Sequence, residues 1–331
     1  MFRHFSTLLF FCCLAAVSTA QDLHFSQFYL NPLQVNPALT GVFEGDLRAM
    51  GLYRSQWSSV PVSYRTFTGA ADMKALQRGA NMLSGGLMIQ HDQAGDAGMK
   101  WTQIGLSGAV SHALSAQQSL SVGFGLAVVQ RAFDISGLTF KNQWTDYIFD
   151  PGLPSKENFN RSSGLSPSLS GGLNWHFSQP GTRTAVDVGA GVFHLNRPKI
   201  SFSDSPDERL PMRTAVNANF NLPLNEFLDL VVFGLAQRMG KAQEMIAGIG
   251  ARLWLIPNET ALQFSLANRL NDAVIPAVQV QRGNWTVGLS YDLNISDFDV
   301  ATNKRGGFEV AVVYRTLPAP PVKTIKSCPI F

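Results

Sequence analysis

The chain has 331 residues and a formal net charge of +3, and only 15% of its residues are charged, against about a quarter in an ordinary soluble domain. So small a charge gives no support to nucleic-acid binding, and only one of the three cysteines, Cys328, lies outside the N-terminal apolar run, so no disulfide can form within the exported chain. The 29 glycines, with no later apolar stretch long enough for a transmembrane helix, direct attention to strands.

The N-terminus opens with Arg3 and His4, continues as an apolar run over residues 8–17 and ends on Ser18-Thr19-Ala20. This is the layout of a secretory signal peptide cleaved after Ala20; an uncleaved anchor is the alternative, but the run is short for one. Cys12 and Cys13 lie within it, without the small residues that precede a lipoprotein cysteine. Residues 1–20 are therefore read as a signal peptide, 21–45 as an N-terminal plug or periplasmic segment, 46–316 as a transmembrane barrel and 317–331 as a C-terminal tail.

From there the sequence alternates with period 2 over ribbons of roughly ten residues. Fourteen ribbons centre near Met50, Thr68, Leu87, Leu106, Gly125, Leu169, Gly189, Asn217, Val231, Ile249, Phe264, Val278, Leu289 and Val312. In the sixth, Leu165, Pro167, Leu169, Leu173, Trp175 and Phe177 form one face, and Ser166, Ser168, Ser170, Asn174 and His176 the other. The first three and the ninth are blurred, by Met50, Phe67 and Val231. Arg131, Asp187, Arg213, Arg252, Arg269, Asp292, Glu309 and Arg315 fall on the small, polar phase. A soluble sandwich would exclude charge from its apolar phase as well. It would not need aromatics at the ends of the apolar stripe, where Trp101, Phe177, Trp285, Phe308 and Tyr314 are read as interfacial girdles.

Short connections at 114–118, 178–182, 223–226, 257–259 and 282–283 alternate with longer ones at 133–164, 196–212 and 294–305. Short turns on one side and longer loops on the other, with an even ribbon count, predict a closed antiparallel transmembrane barrel of about fourteen strands, all-β. A few connections on the long-loop side, such as 271–273, are short, so the rule holds as a tendency. Pro318, Pro320 and Pro321 stop strand pairing near Thr316.

Candidate chemistry is sparse. His91 with Asp92 and Asp96, placed in an outer loop, has the residue types of a hydrolytic or metal site, but surface loops are rich in acids and no partner geometry is visible. His112 and His194 fall at ribbon ends, where an amphipathic ring suits the interface. Asp297, Asp299 and Asn303 lack the spacing of a calcium loop, so a solvated loop is the plainer reading. Glycine pairs such as Gly171-Gly172 suit curvature or the close approach of another segment to the wall. The small inward residues of the fifth to seventh ribbons leave room for water or for the segment 21–41, whose presence would let inward arginines pair with acids across the lumen. No catalytic, cofactor-binding or metal-binding residue is assigned.

Motifs at both ends carry a resemblance. Gln21-Asp22, Phe25-Ser26-Gln27-Phe28, Asn31-Pro32-Leu33, Asn36-Pro37-Ala38, Gly41 and Tyr53-Arg54-Ser55-Gln56-Trp57 open the chain, and Tyr291-Asp292-Leu293-Asn294, Arg305-Gly306-Gly307-Phe308-Glu309, Tyr314 and Cys328-Pro329 close it. Together they resemble the PorP/SprF family of outer-membrane proteins associated with type IX secretion in Bacteroidetes; Leu39-Thr40 and Ile330-Phe331 are small departures. The resemblance implies a non-enzymatic barrel that supports secretion or surface attachment of type IX cargo, in some members adhesins used in gliding. It also implies a link to a periplasmic, peptidoglycan-binding lipoprotein of OmpA type. Residues that would contact a partner or the plug are Asn31, Pro32, Asn36, Pro37, Arg54, Trp57, Cys328 and Pro329. For the two Asn-Pro pairs a rigid turn is the first reading, since Pro fixes its own φ and extends the residue before it. Arg54 and Trp57, at the outer end of the first ribbon, are read as contacting cargo or anchoring that end in the headgroups. A passive channel or hydrophobic-substrate transporter is the alternative function.

Overall fold

A computed structural model of the chain describes residues 23–56, 64–95, 98–134, 139–145, 148–156, 162–202, 208–296 and 305–316. The signal segment, Trp57, Asp96, Asp297, Asp299, Asn303, Cys328 and Pro329 lie outside the described residues.

Among the described residues sixteen strands follow in chain order: β1 (Leu47–Gln56), β2 (Tyr64–Arg78), β3 (Asn81–Ala94), β4 (Met99–Ala113), β5 (Gln118–Ala132), β6 (Trp144–Thr145), β7 (Ile148–Phe149), β8 (Ser163–Ser178), β9 (Ala185–Phe193), β10 (Arg213–Pro223), β11 (Leu228–Met239), β12 (Ala242–Ile256), β13 (Thr260–Arg269), β14 (Ala273–Arg282), β15 (Trp285–Asn294) and β16 (Arg305–Arg315). β6 and β7 pair as a small hairpin within a loop, and the other fourteen close into one antiparallel barrel. β1 seals against β16 over nine residue pairs from Arg48↔Arg315 to Gln56↔Gly307, so the barrel has no open edge to template aggregation. All fourteen ribbons read from the alternation are strands of this wall.

The side-chain phase explains why the wall is stable in lipid. On β5, Ser121 and Gly123 are buried while Phe124 and Leu126 face outward, Phe124 at 69% exposure. Leu106 on β4 and Leu165 on β8 are likewise 61% and 70% exposed. A continuous apolar belt of this kind is far larger than the patches soluble proteins tolerate, and it is satisfied when it meets acyl chains. No helix among the described residues is long and apolar enough to cross a membrane. Aromatics rim the belt. At the short-turn end Trp175 stacks on Phe177 (6.2 Å) and Trp285 packs on Tyr314 (4.9 Å). Near the long-loop end the cross-strand pairs Tyr53↔Phe67 and Tyr291↔Phe308 face out. Amphipathic rings at these two levels sit where headgroups meet hydrocarbon.

Three expectations are corrected. Trp101 shares the inward phase of β4 with buried Gln103, so it is no girdle residue; its ring meets His194 edge-on at 6.4 Å. His194 is not at the interface but 2% exposed, with Nδ1 2.8 Å from Ser168 Oγ. His91 lies within β3 rather than in a loop, and its neighbour Asp92 points to the opposite face, because consecutive strand residues alternate. His91 Nδ1 meets Thr102 Oγ1 on one side of the wall, while Asp92 accepts from Thr66 Oγ1 on the other.

Candidate functional site: an occupied lumen

Residues 23–46 run through the barrel from the long-loop end, where His24 lies 3.6 Å from Glu244 at the start of β12, to the short-turn end, where Asp46 enters β1. The segment is a chain of tight turns. Asn31-Pro32 opens a single helical turn, α1 (Pro32–Val35), and Asn36-Pro37 opens a 3-10 turn (Pro37–Leu39), with Pro at the first helical position each time. Pro is favoured there because its missing N–H would have no helical partner. Asn36 caps its turn, its Oδ1 accepting from Ala38 N–H at 2.9 Å, while its Nδ2 donates to Leu173 O at 2.8 Å in β8. Both asparagines and both prolines are buried in the lumen.

Two apolar clusters wedge the segment against opposite walls. Phe28 and Val35 pack with Ala215, Phe233, Leu235, Ile246, Ala267 and Ile275 of β10–β14, the Phe28 and Phe233 rings edge-to-face at 6.0 Å. Phe25 and Leu33 pack with Met50, Leu52, Ala70, Met88, Ala311 and Val313 of β1–β3 and β16. Full burial of each large side chain is worth roughly 1.5–3 kcal/mol, so these four residues set the scale of the segment's retention. At the third wall the backbone itself comes close. A β-carbon at Gly123 of β5 would collide with the backbone of Pro37 and Ala38, and one at Gly172 of β8 would collide with the Asn36 amide.

The polar anchorage converges on Ser26. Glu309 accepts from the backbone N–H groups of Ser26 (2.8 Å) and Gln27 (2.7 Å) and from Arg54 Nη1 (3.1 Å). Asp292 accepts from Arg54 Nη2 (2.7 Å), Arg269 Nη1 (2.9 Å) and Ser26 Oγ (2.8 Å). The Ser26 hydroxyl in turn accepts from Arg54 Nη1 and Arg269 Nη2, both at 2.6 Å. Two guanidiniums and two carboxylates, each under 5% exposed, thus neutralise one another around one hydroxyl of the inner segment. Asp292 sits at a register shift between Tyr291 and Leu293, a bulge of the kind that re-aims a side chain. Lower in the lumen, Arg48 and Asp72 form a second pair (2.7 Å), from which Arg48 donates to Leu39 O and Asp72 accepts from Gly41 N–H. Arg213 donates to Gln34 O, Thr40 bonds Ser107, and Gln279 donates to Tyr29 Oη. Among the described residues no group of three or more His, Cys, Asp or Glu is placed to hold a metal ion.

The profile of the family described as type IX secretion system membrane protein PorP/SprF matches residues 17–314. The chain belongs to that family. It is an outer-membrane β-barrel, and its motifs near Ser26 and Glu309 are the two sides of the anchorage just described. Among curated proteins none matches it. Of the solved structures similar to this PorP/SprF barrel, the Pseudomonas putida toluene transporter TodX is 8% identical with a TM-score of 0.50, covering 85% of this chain and 92% of that one. A TodX deltaS2S3 mutant, a monoaromatic hydrocarbon channel, is 9% identical with a TM-score of 0.51 over 85% and 93%. The translocator domain of the autotransporter NalP from Neisseria meningitidis is 11% identical with a TM-score of 0.41 over 88% and 96%. At these identities the two TodX structures speak to the barrel fold alone.

Among the residues singled out from sequence, Arg54 meets the plug rather than the headgroups. It is 1% exposed, locked between Asp292 and Glu309, and donates to Ser26 of the inner segment. Asn31, Pro32, Asn36 and Pro37 all lie in the lumenal segment. Sequence reading did not single out Ser26, Arg48 or Asp72, nor join Arg269, Asp292 and Glu309 into one site. The usable signal was present in the inward charges: a carboxylate on a strand face away from bulk water needs a cation and donors close by.

Proposed function

We propose that this PorP/SprF protein acts as a closed outer-membrane platform in type IX secretion. On this reading it supports export or surface attachment of cargo proteins at its long-loop face. At its periplasmic, short-turn face it is linked to a peptidoglycan-binding lipoprotein of OmpA type, with the C-terminal tail contributing to that link. The observation that carries the proposal is the filled lumen: the inner segment is bonded to the wall on every side, which suits a rigid scaffold better than an open conduit. The runner-up, a passive channel or hydrophobic-substrate transporter such as the TodX barrels, requires that segment to move aside.

Two measurements separate the readings. Cross-linking in intact cells is expected to recover a large secreted protein and a periplasmic lipoprotein, with less lipoprotein when residues 318–331 are removed. In planar bilayers the full-length barrel is expected to be electrically silent. Steady channel openings together with no protein partners would replace the platform by a pore.

A further inference from the structure

Below the inner segment, toward the short-turn end, the lumen keeps a cavity of about 270 Å³. That is room for several water molecules. Three arginines on three strands line it, Arg48, Arg252 and Arg315, and among the described residues one carboxylate, Asp187, does so. The charges are not matched in place. Arg48 is answered by Asp72, and Asp187 is engaged by His176 Nδ1 (2.8 Å) and Asn174. Among the described residues Arg252 donates only to neutral amide oxygens, Nε to Gln263 Oε1 (3.0 Å) and Nη1 to Asn221 Oδ1 (3.1 Å). Its cross-strand neighbour Asp229 is occupied by Arg183, Asn221 and Trp254 Nε1. Arg315 has no carboxylate within ion-pair distance among the described residues; Glu44, exposed to solvent, acts on it only from farther away. Arg252 and Arg315 thus open on the same cavity without a carboxylate of their own among the described residues.

Unmatched like charges facing one confined space are unfavourable unless something anionic enters it. A guanidinium fork matches the planar pair of oxygens on a carboxylate or phosphate, and here two such forks approach from β12 and β16. Gln281 and Gln263 add amide groups, and Asn219 Oδ1 is buried with no hydrogen-bond partner among the described residues, an acceptor for a ligand hydroxyl. We propose that this chamber binds a small oxyanion, a molecule carrying a carboxylate or phosphate group, admitted from the short-turn side. The inference stands apart from the secretion role, since it concerns a site of the barrel and not the identity of its protein partners.

The test uses full-length protein purified in detergent and titrated calorimetrically at low salt with inorganic phosphate and, separately, with citrate. One or both are expected to bind at one site per chain; the responding probe tells phosphate from carboxylate recognition. Removing one partner of a buried charge-assisted contact weakens binding by well over about tenfold, so Arg252→Gln and Arg315→Gln should each show at least that loss. Arg78→Gln, at the exposed end of β2 outside the chamber, should show none. Gln263→Glu supplies a built-in carboxylate beside Arg252, so it should abolish binding without lowering the unfolding temperature. Failure of both anions to bind the unaltered protein, or binding that persists in Gln263→Glu and Arg315→Gln, overturns the proposal.

Discussion

Glu309 is fully buried, and its two oxygens take three donors, two of them backbone N–H groups of the inner segment. Such a site tolerates no half-measure. With the carboxylate in place Arg54 is neutralised on both sides; without it, Arg54 must share Asp292 with Arg269. Breaking one partner out of a buried pair costs roughly 3–5 kcal/mol, because a charge is left uncompensated in low dielectric. Glu309→Gln should therefore lower the denaturant-unfolding stability of the refolded barrel by about that amount. Asp272 also touches Arg269, but it is largely open to solvent, with its side chain 47% exposed. Exposed pairs are worth about 0–1 kcal/mol, so Asp272→Asn is the matched control. Equal small losses in the two variants would mean the network carries no anchoring energy.

At the scale of elements, the inner segment and the wall are fitted by backbone shape as much as by side chains. Gly123→Val should leave the barrel strands intact, since β5 pairs through its backbone, yet push Pro37 and Ala38 off the wall. Limited proteolysis should then cut within 23–46, and bilayer conductance should appear. Gly51→Val, where a β-carbon meets nothing within 4 Å, should change neither. The same fit explains which strands were legible in the sequence. β5, β8 and β15 alternate cleanly because their inward faces are small and polar. β1, β3 and β11 read as blurred because inward residues of theirs, Met50, Leu52, Met88, Val231 and Phe233, are apolar: they pack against the inner segment rather than water. With both phases of β1 apolar, nothing in the pattern said that Arg54 pointed in. Trp101 was misassigned for a related reason. At the long-loop end of β4 the outward phase carries Lys100, so hydrophobicity no longer marks the lipid side. The Asn-Pro turns were visible as turns; that they close on Leu173, a contact 137 residues away, is a property of barrel closure that no local pattern encodes.

For the molecule as a whole, the wall is a boundary between two unlike solvents, and the energetics depend on depth. Leu106 lies midway along β4 on the outward phase, 61% exposed, while Leu114, 57% exposed, sits at the short turn that follows. An arginine on the lipid face of a barrel costs about 2–4 kcal/mol at the bilayer midplane and about 0–1 near the interface, where its head reaches water. Leu106→Arg should therefore destabilise the lipid-refolded barrel by at least about 2 kcal/mol, and Leu114→Arg by under about 1 kcal/mol. Urea unfolding in vesicles reads the difference directly, and repeating it across the outward residues of β5 would trace the thickness of the belt. The gradient, rather than either value, is the diagnostic quantity. A surface facing water would accept arginine equally well at both depths, and the protein would then remain dissolved without detergent.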